Sequence, residues 1–563
     1  MKYLNKTIEY GLYLLVFLLP MQTRWIIKAG ELNGGYFEYG TYSLYATDVL
    51  LILLLLLFII VIASDRRETQ VPLSARDKLR NLTDSELNQR LSWLRQISRS
   101  DDFVAPSASA SWRMAERAPR NDKIAHWFLG GLLLISMVSV FFAASRPLAL
   151  YKLGWLILGV GLFWLVVSAN YDKLKLIYFM LAGVFLQAVL GSWQFLTQSS
   201  FAGKWLGLAF HNGADLGASV IEAVGANGIG ERWLRAYGGL DHPNMLGGLM
   251  AISILLIIYL ILVDICHFDP ASAGEKSLVL ATLIFKRFLP RIKVRGRNDI
   301  FRTVRTPLLK GLIIVFTVAL FFSFSRSAWL GLIIGLAIMI VLAVADRNLK
   351  LQKGLAQIIL VMGILLFILF GQYQNLITSR LGGEGRLEEK SISERLASYQ
   401  ESWRLIKNNW AAGVGLGNYT LALSRQMPGQ KSFYYQPAHN VFMLVWAEIG
   451  IVGLLFFLAL LFAVASGNLF CHSGRRAGIQ FGRDEQNSGL RVKPAMTGCL
   501  KSSRNDKREY APRDDSKMAI LIVLIIIMSL DHWIWSLHFG VLFFWLVLGV
   551  IADRKRDEKL FLD

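Results

Sequence analysis

Residues 50–63 read LLILLLLLFIIVIA, a run without a single polar side chain. The segments 311–322, 328–344 and 518–530 are nearly as apolar. A helix needs roughly 20 predominantly apolar residues to cross a bilayer. In the chain of 563 residues, 54% are hydrophobic, and the mean hydropathy is +0.45. These features exclude a soluble enzyme, a disordered protein and a disulfide scaffold, and they predict an all-α polytopic membrane protein.

The apolar runs predict about twelve transmembrane helices, each close to the length that crosses a bilayer. The seventh, eighth and eleventh are short. An even number of spans places both termini on the same side of the membrane. The predicted spans are 8–27, 44–64, 125–144, 149–169, 174–195, 244–264, 309–325, 327–345, 355–371, 440–464, 518–532 and 533–552.

The charge distribution predicts the orientation of these spans. The chain has 60 Lys and Arg against 40 acidic residues, a formal net charge of +20. Most of the Lys and Arg fall on the side that holds both termini, and cytoplasmic loops of membrane proteins are enriched in these residues. Both termini are therefore predicted to be cytoplasmic. The enrichment of Lys and Arg in cytoplasmic loops explains the positive net charge, so no nucleic acid partner is expected.

Three predicted cytoplasmic loops, 65–124, 265–308 and 465–517, are unusually long and basic. They share a recurrent Arg-Asn-Asp theme and cannot bury a core, so we interpret them as inserts outside the fold. The alternative is that they bind anionic lipids of the inner leaflet. We divide the chain into N-terminal helices at 1–225, a second membrane unit at 226–552, and a cytoplasmic tail at 553–563.

The two long outer loops, 196–243 and 372–439, have the mixed composition of folded segments. Ser391 and Glu394 form a capping-box pattern that predicts the start of a helix. An apolar stripe then predicts an amphipathic helix, on the outer membrane surface or over a cavity. The stripe consists of Leu396, Tyr399, Trp403 and Ile406, and a turn predicted to be flexible follows at Gly413, Gly415 and Gly417.

Polar side chains concentrate at the outer ends of the spans, in four places. Each has a structural alternative: an arginine at a helix end often extends to the interface, and His-Pro-Asn can simply begin a helix. The four places are Arg232 to Asn244 with Arg235 and His242, then Ser325-Arg326, then His439-Asn440 followed by Glu448, and finally Asp531-His532.

Together these groups predict a particular chemistry at the outer face. Arginine forks suit phosphate oxygens, and a histidine is the side chain best able to take a proton near neutral pH. The sequence pattern shows no matching metal cluster. Arginines with a histidine therefore favour transfer from a phosphate leaving group to a hydroxyl without a divalent cation or another cofactor.

Four motifs in order give a family resemblance. His439-Asn440, nine residues and then Gly450-Ile-Val-Gly453 fit the signature H-[NSQ]-x9-G-x-x-[GTY]. The segment 235–247 resembles an R…G…HPN…G element, Ser325-Arg326 opens an SR-x-A-W element, and a W…GxGxGN element precedes the histidine. Over about 225–550 the sequence resembles the bacterial O-antigen ligase and O-antigen polymerase family of membrane glycan transferases.

The resemblance implies a GT-C-like membrane domain at 226–552 with a large periplasmic loop before His439. It implies metal-independent, inverting transfer of a glycan from undecaprenyl diphosphate in the outer leaflet. The acceptor is the lipid A core for a ligase, another glycan repeat for a polymerase, or a protein for an O-oligosaccharyltransferase. The spacing after His439-Asn440 favours the ligase. The long basic inserts are not typical of the family.

We predict His439, Arg326 and Arg235 as the catalytic residues. The arginines bind the diphosphate and stabilise its developing charge, and His439 either deprotonates the acceptor hydroxyl or binds the diphosphate. Asp531, Glu448 or His242 orients His439. The residues predicted to bind substrate are Arg232, His242, Asn244, Ser325, Asn440 and Asp531.

A transporter or flippase for lipid-linked sugars is the alternative from another functional class. Coupled transporters usually place ionisable groups near the middle of the membrane. In this sequence nearly all the charges lie at span ends, with Glu448 as the main exception. The pattern therefore favours the transferase.

Overall fold

The computed structural model describes residues 2–69, 120–215, 217–224, 230–266, 297–345, 347, 349–382, 386–476 and 513–553. The predicted basic inserts and the predicted C-terminal tail lie mostly outside these described residues. The described part is dominated by helices, with three short antiparallel hairpins. This confirms the predicted all-α polytopic architecture.

The helices follow one another through the chain with bounds close to most of the predicted spans. In chain order they are α1 (Lys2–Leu18), α2 (Ala46–Thr69), α3 (Arg120–Ser139), α4 (Arg146–Ser168), α5 (Lys173–Thr197), α6 (Pro243–Cys266), α7 (Arg297–Ser323), α8 (Arg326–Ala345), α9 (Leu349–Gln372), α10 (Gln374–Gly382), α11 (Arg386–Asn409), α12 (Tyr419–Gln426), α13 (Val441–Arg476), α14 (Arg513–Leu530), α15 (Trp533–Ser536) and α16 (His538–Ala552).

Nine helices within the described residues, α2 to α9 and α13, are long and apolar enough to cross a membrane. The apolar parts of α14 and α16 are shorter, at Lys517–Leu530 and His538–Ala552. Helix α1 has 17 residues. The count of twelve spans therefore stays a prediction, while the multi-pass architecture is established.

The predicted first span, 8–27, extends too far toward its C-terminal end. Helix α1 ends at Leu18, and Pro20 follows, a residue that cannot continue a helix. Strand β1 (Arg24–Lys28) then pairs with β4 (Tyr42–Tyr45), and β2 (Glu31–Leu32) pairs with β3 (Gly35–Tyr36) between them. The residues assigned to the end of that span therefore form a hairpin.

Helices α6 and α16 lie at the centre of the bundle because they are apolar on every side. The whole apolar span Pro243–Leu262 of α6 is buried. Helix α6 packs against α7, α8 and α14, while α16 packs along α4. The predicted last span, 533–552, is divided at Leu537, whose backbone is extended between α15 and α16.

Helix α11 confirms the predicted helix in the second outer loop, but it begins at Arg386, so the capping-box pattern at Ser391 lies inside the helix. The residues of the predicted apolar stripe do not all lie on the packed face of the helix. Ile406 is buried against α12, whereas Leu396 and Trp403 are exposed by 60% and 45%. The packed face of α11 is therefore displaced from the predicted stripe and runs through Ser402, Leu405 and Ile406.

The glycine-rich segment after α11 is a packed loop, not the flexible turn expected from its composition. Helix α13 is kinked at Gly450, whose φ is 72°. The loop lies against this kink: Gly415 N–H donates to the Glu448 carbonyl at 2.9 Å, and Ile451 N–H donates to the Trp410 carbonyl at 2.9 Å. Gly413 and Gly450 each lack room for a Cβ against the opposite backbone. The loop thus satisfies backbone groups that the kink releases.

Candidate active site

Hydrogen bonds join the ends of α6, α7 and α14 at one end of the bundle. The buried Arg235 donates from Nη2 to Asn244 Oδ1 at 2.7 Å and from Nε to the Ser323 carbonyl at 2.8 Å. Asn244 donates from Nδ2 to Asp531 Oδ2 at 2.7 Å. Buried polar groups need such partners, since an unpaired one costs about 1–3 kcal/mol. The chain Arg235–Asn244–Asp531 is therefore a fixed, fully buried polar network.

His439 completes this network at the start of α13. Its Nδ1 lies 3.6 Å from Asp531 Oδ1, an ion-pair distance just beyond a hydrogen bond. That Nδ1 is buried and makes no hydrogen bond among the described residues, while 28% of the side chain remains exposed. His532 N–H donates to the same carboxylate oxygen at 2.8 Å. Asp531 therefore lies between the histidine and the buried arginine.

Local sequence explains how the two helix starts hold these groups. Asn440 caps α13, because its Oδ1 accepts from Met443 N–H at 3.0 Å, and its Nδ2 reaches the Ser529 carbonyl at 3.1 Å. Pro243 begins α6 with its fixed φ, and His242 Nδ1 accepts from Asn244 N–H at 3.1 Å. The His-Asn and His-Pro-Asn elements thus act as helix starts that also carry site residues.

The charges at the site follow from burial and proximity. Burial alone raises the pKa of Asp531, but His439, His532 and His242 together lower that pKa well below its ordinary value. Burial, and then the charge of His439, lowers the pKa of His532 to about 4. Burial, and then the charge of Arg235, lowers the pKa of His242 to about 3. Near neutral pH the site therefore has an ionised carboxylate and two neutral histidines around His439.

Of the three groups predicted to orient His439, Asp531 lies against it. Glu448 instead accepts from Trp535 Nε1 at 2.8 Å. His242 Nε2 lies 3.0 Å from Ser219 Oγ, so its ring bridges that serine and the start of α6. His242 therefore holds the loop before α6.

The predicted arginines and Ser325 occupy different surroundings. Arg232 lies on β6 (Gly230–Leu234), opposite Glu222 on β5 (Val220–Val224). Its Nε is 3.8 Å from Glu222 Oε1, and its Nη1 donates to the Ala214 carbonyl at 3.0 Å. Arg326 is half-buried at the start of α8. Ser325 is buried, with its Oγ 3.3 Å from Ser327 Oγ. Arg235 and Arg326 thus flank the α7–α8 turn, while Arg232 contacts Glu222 and Ala214 near its own hairpin.

Helix α11 adds two residues that the sequence reasoning did not assign to the site, although it had placed Tyr399 in the predicted apolar stripe. Tyr399 Oη donates to the His439 carbonyl at 3.3 Å. Arg395 is half-buried and close enough for its charge to lower the pKa of His532, after burial and His439. Arg395, Tyr399 and Ser402 are spaced by four and three residues, so they share the inward helix face. That spacing was the available signal.

The site also contains a possible metal-binding arrangement. The sequence predicted no metal cluster, yet the candidate ligand atoms of His439, Asp531 and His532 all lie within 4.8 Å of one another. Two imidazoles and a carboxylate suit a divalent transition metal. His532 Nδ1 lies 2.7 Å from Ser536 Oγ, which orients its other nitrogen. Metal independence therefore remains a prediction, to be tested by chelation.

The fold and site together define a polytopic helical membrane protein with a histidine–aspartate–arginine network at one end of its bundle. Residues 311–458 match the family described as O-Antigen ligase. The match includes Arg326 and His439, and it confirms the family resemblance that the motifs gave. No curated protein sequence matches the chain. The chain thus carries a glycosyltransferase-like domain of lipopolysaccharide biosynthesis, of the O-antigen ligase or polymerase type.

Proposed function

We propose that the protein transfers a glycan from undecaprenyl diphosphate to an acceptor hydroxyl at the periplasmic face of the inner membrane. The simplest form of this reaction is ligation of O-antigen to the lipid A core. One observation carries the proposal. His439 lies beside an ionised Asp531, and Asn244 links that carboxylate to the buried Arg235. A candidate base and a phosphate-binding cation thus belong to one rigid network.

The proposed reaction is a single displacement. The acceptor oxygen attacks the anomeric carbon while the bond from that carbon to the diphosphate oxygen breaks. The hydroxyl proton moves to His439, and undecaprenyl diphosphate leaves with the electron pair of the broken bond. Attack opposite the leaving group inverts the anomeric configuration.

The histidine and its carboxylate fit the role of a base. Nδ1 of His439 faces Asp531, which leaves Nε2 to take the hydroxyl proton. The ionised carboxylate then stabilises the imidazolium that forms, as in other carboxylate-oriented histidines. His532 and His242 are neutral near pH 7 and do not compete for this role.

The arginines replace a metal ion in this scheme. Arg235 and Arg326 flank the α7–α8 turn, and guanidinium groups bind phosphate oxygens through paired, charge-assisted hydrogen bonds. Their charge stabilises the diphosphate as it gains negative charge in the transition state. Arg232, at the hairpin surface, contributes from a greater distance.

The membrane setting supports the same assignment. A polyprenyl donor needs a site at the bilayer surface, and the network lies where the apolar helices end. The excess of Lys and Arg on the opposite side supports a periplasmic site with both termini in the cytoplasm. We propose residues 226–552 as the catalytic unit, since both the network and the family match lie within them.

The test uses the full chain in liposomes with a labelled, undecaprenyl-diphosphate-linked glycan. Lipid A core, free glycan repeats and a carrier protein are offered as acceptors, and the labelled product distinguishes ligase, polymerase and protein glycosyltransferase. We expect His439→Ala to abolish transfer, while Arg404→Ala, an exposed residue on α11, retains it. Full transfer by His439→Ala would remove the histidine from the chemistry. Donor translocation without transfer would favour the flippase.

A further inference from the structure

Helix α11 has an apolar side that is neither packed on the protein nor part of the candidate site. Four large apolar residues on this side are between 45% and 60% exposed. They are Ile392, Leu396, Trp403 and Trp410, the last of which directly follows the helix. Spacings of four, seven and seven residues place them within about 40° of one another around the helix axis. We call this strip the lateral face of α11.

Two other sides of α11 have different compositions. One side is exposed and carries small or polar residues, namely Ser393, Ala397, Gln400, Arg404 and Asn408. Another side is packed on the protein through Ser402, Leu405 and Ile406. A helix that packs on a protein in water needs only one apolar side and one polar side. The lateral face is therefore a second apolar side, and it requires a contact surface of its own.

The C-terminal end of α11 lies level with the apolar part of α13. The Trp410 carbonyl accepts from Ile451 N–H at 2.9 Å and from Trp446 Nε1 at 3.1 Å. Both donors lie within the apolar span Val441–Ser466. Ile451 is ten residues from the start of this span, which is about 15 Å along a helix. The lateral face thus reaches a depth at which α13 is surrounded by the hydrocarbon of the bilayer.

The lateral face is continuous with the outer surface of α13. The Trp403 ring lies 5.8 Å from the Trp446 ring, nearly at right angles to it. Directly after Ile451, Val452 and Leu455 are exposed by 43% and 58%. Exposed apolar side chains of a membrane-spanning helix face lipid. Because these residues adjoin Trp410 and Trp403, the same lipid surface extends over the lateral face.

The residue types of the lateral face are those that bilayer interfaces favour. Tryptophan is enriched at both interfaces, where its ring lies at the level of the lipid headgroups. Lys407 stands between the lateral face and the polar side, with its Nζ 5.7 Å from the centre of the Trp403 ring. Such a lysine covers apolar surface with its methylene groups and extends its ammonium toward lipid phosphates. This pair fits a lipid surface better than an apolar protein partner.

We infer that α11 lies in the interface of the leaflet beside the candidate site, with its lateral face among the lipids and its polar side toward water. The partner of the lateral face is the bilayer itself. Tyr399 of the same helix donates to the His439 carbonyl at 3.3 Å. One helix therefore contacts both the membrane and the candidate site.

The first test compares neighbouring positions of α11 in the full chain, in liposomes. Nitroxide labels are placed at Leu396→Cys and Trp403→Cys, with Ala397→Cys and Arg404→Cys as matched controls. The native cysteines, Cys266, Cys471 and Cys499, are replaced by serine. We expect the ratio of collisions with lipid-soluble oxygen to collisions with a water-soluble nickel chelate to be at least fivefold higher at the first two positions.

Two results of the labelling experiment would overturn the inference. Equal collision ratios at Leu396 and Ala397 would show that water surrounds both sides of the helix. Low accessibility of the Leu396 label to both reagents would show that protein, such as a second copy of the chain, covers the lateral face.

A second test needs no variant. The wild-type chain is reconstituted with phospholipids that carry a diazirine at the upper or the lower end of an acyl chain. We expect crosslinks to Leu396 and Trp403 but not to Ala397, with Leu455 of α13 as the internal positive control. Labelling of Leu455 without labelling of α11 would contradict the inference. Neither measurement depends on glycan transfer, so the outcome is independent of the proposed function.

Discussion

Arg232 and Arg235 are three residues apart in the chain but lie in two different regions of the molecule. Arg232 is on the β5–β6 hairpin and pairs with Glu222, and both side chains are partly exposed. Arg235 is 4% exposed and bonded to Asn244 within the buried network. The same side chain is thus a hairpin contact in one place and part of the site in the other. Burial and partners, not residue type, distinguish them.

The largest effect should come from the carboxylate at the centre of the buried network. We expect Asp531→Asn to lower the rate of glycan transfer by about 10²–10⁴-fold, because His439 loses the charge that stabilises its protonated form. Measurement of kcat in liposomes tests this. An activity within twofold of wild type would show that His439 works without Asp531. The buried network would then have no role in the transfer reaction.

The next largest effect on the transfer rate should come from Arg235, and Arg232 serves as its comparison. Arg235→Lys should reduce kcat about 10²–10³-fold, because lysine cannot reproduce the two directed contacts to Asn244 and Ser323. Arg232→Lys should reduce it less than tenfold, since its pairing with Glu222 is partly exposed. Equal losses in parallel assays would contradict the distinction between buried network and surface hairpin.

A smaller effect concerns stability at acidic pH. His242 has a pKa of about 3 in the folded chain against 6.5 in its ordinary state. As the pH falls below about 6.5, the unfolded chain binds a proton that the folded chain does not, so stability decreases down to about pH 3. Thermal unfolding in detergent at pH 7 and pH 5 should show a loss of about 1–2 kcal/mol that His242→Gln reduces. An unchanged pH dependence in that variant would mean that His242 titrates normally.

The smallest expected effect tests the metal question. If the arginines carry the phosphate charge, treatment with EDTA should leave the transfer rate within twofold. The purified chain is assayed before and after chelation, and again after addition of Zn²⁺ or Mg²⁺. Loss of activity that a divalent ion restores would assign His439, Asp531 and His532 as metal ligands instead.

Much of the fold followed from apolar runs alone. Predicted spans such as 149–169 and 174–195 agree closely with Arg146–Ser168 and Lys173–Thr197, because a bilayer imposes a length that composition reveals. The first span failed since hydropathy does not distinguish the strand Arg24–Lys28 from a helix end. The turn predicted at Gly413 to Gly417 failed because its partner is the kink at Gly450, remote in the sequence.

The sequence predicted several residues of the candidate site, but not how they contact one another. The motifs singled out His439 and Arg235, and the polar residues at the outer ends of the spans added Asp531. The structure brings these three residues into one network. The motifs could not single out Arg395 or Tyr399, which belong to no motif and reach the site through the packing of α11.

By itself the sequence determined a multi-pass helical membrane protein, its orientation signal and the residue types at one end of its helices. These properties depend on local composition. A bilayer requires apolar helices of a certain length, and cytoplasmic loops are enriched in Lys and Arg, so both can be predicted from short stretches of sequence. Only the tertiary structure decided that Asn244 meets Asp531, 287 positions away, and that Arg235 rather than Arg232 joins them. Such contacts depend on which helix ends pack together, and no short stretch of sequence records that choice.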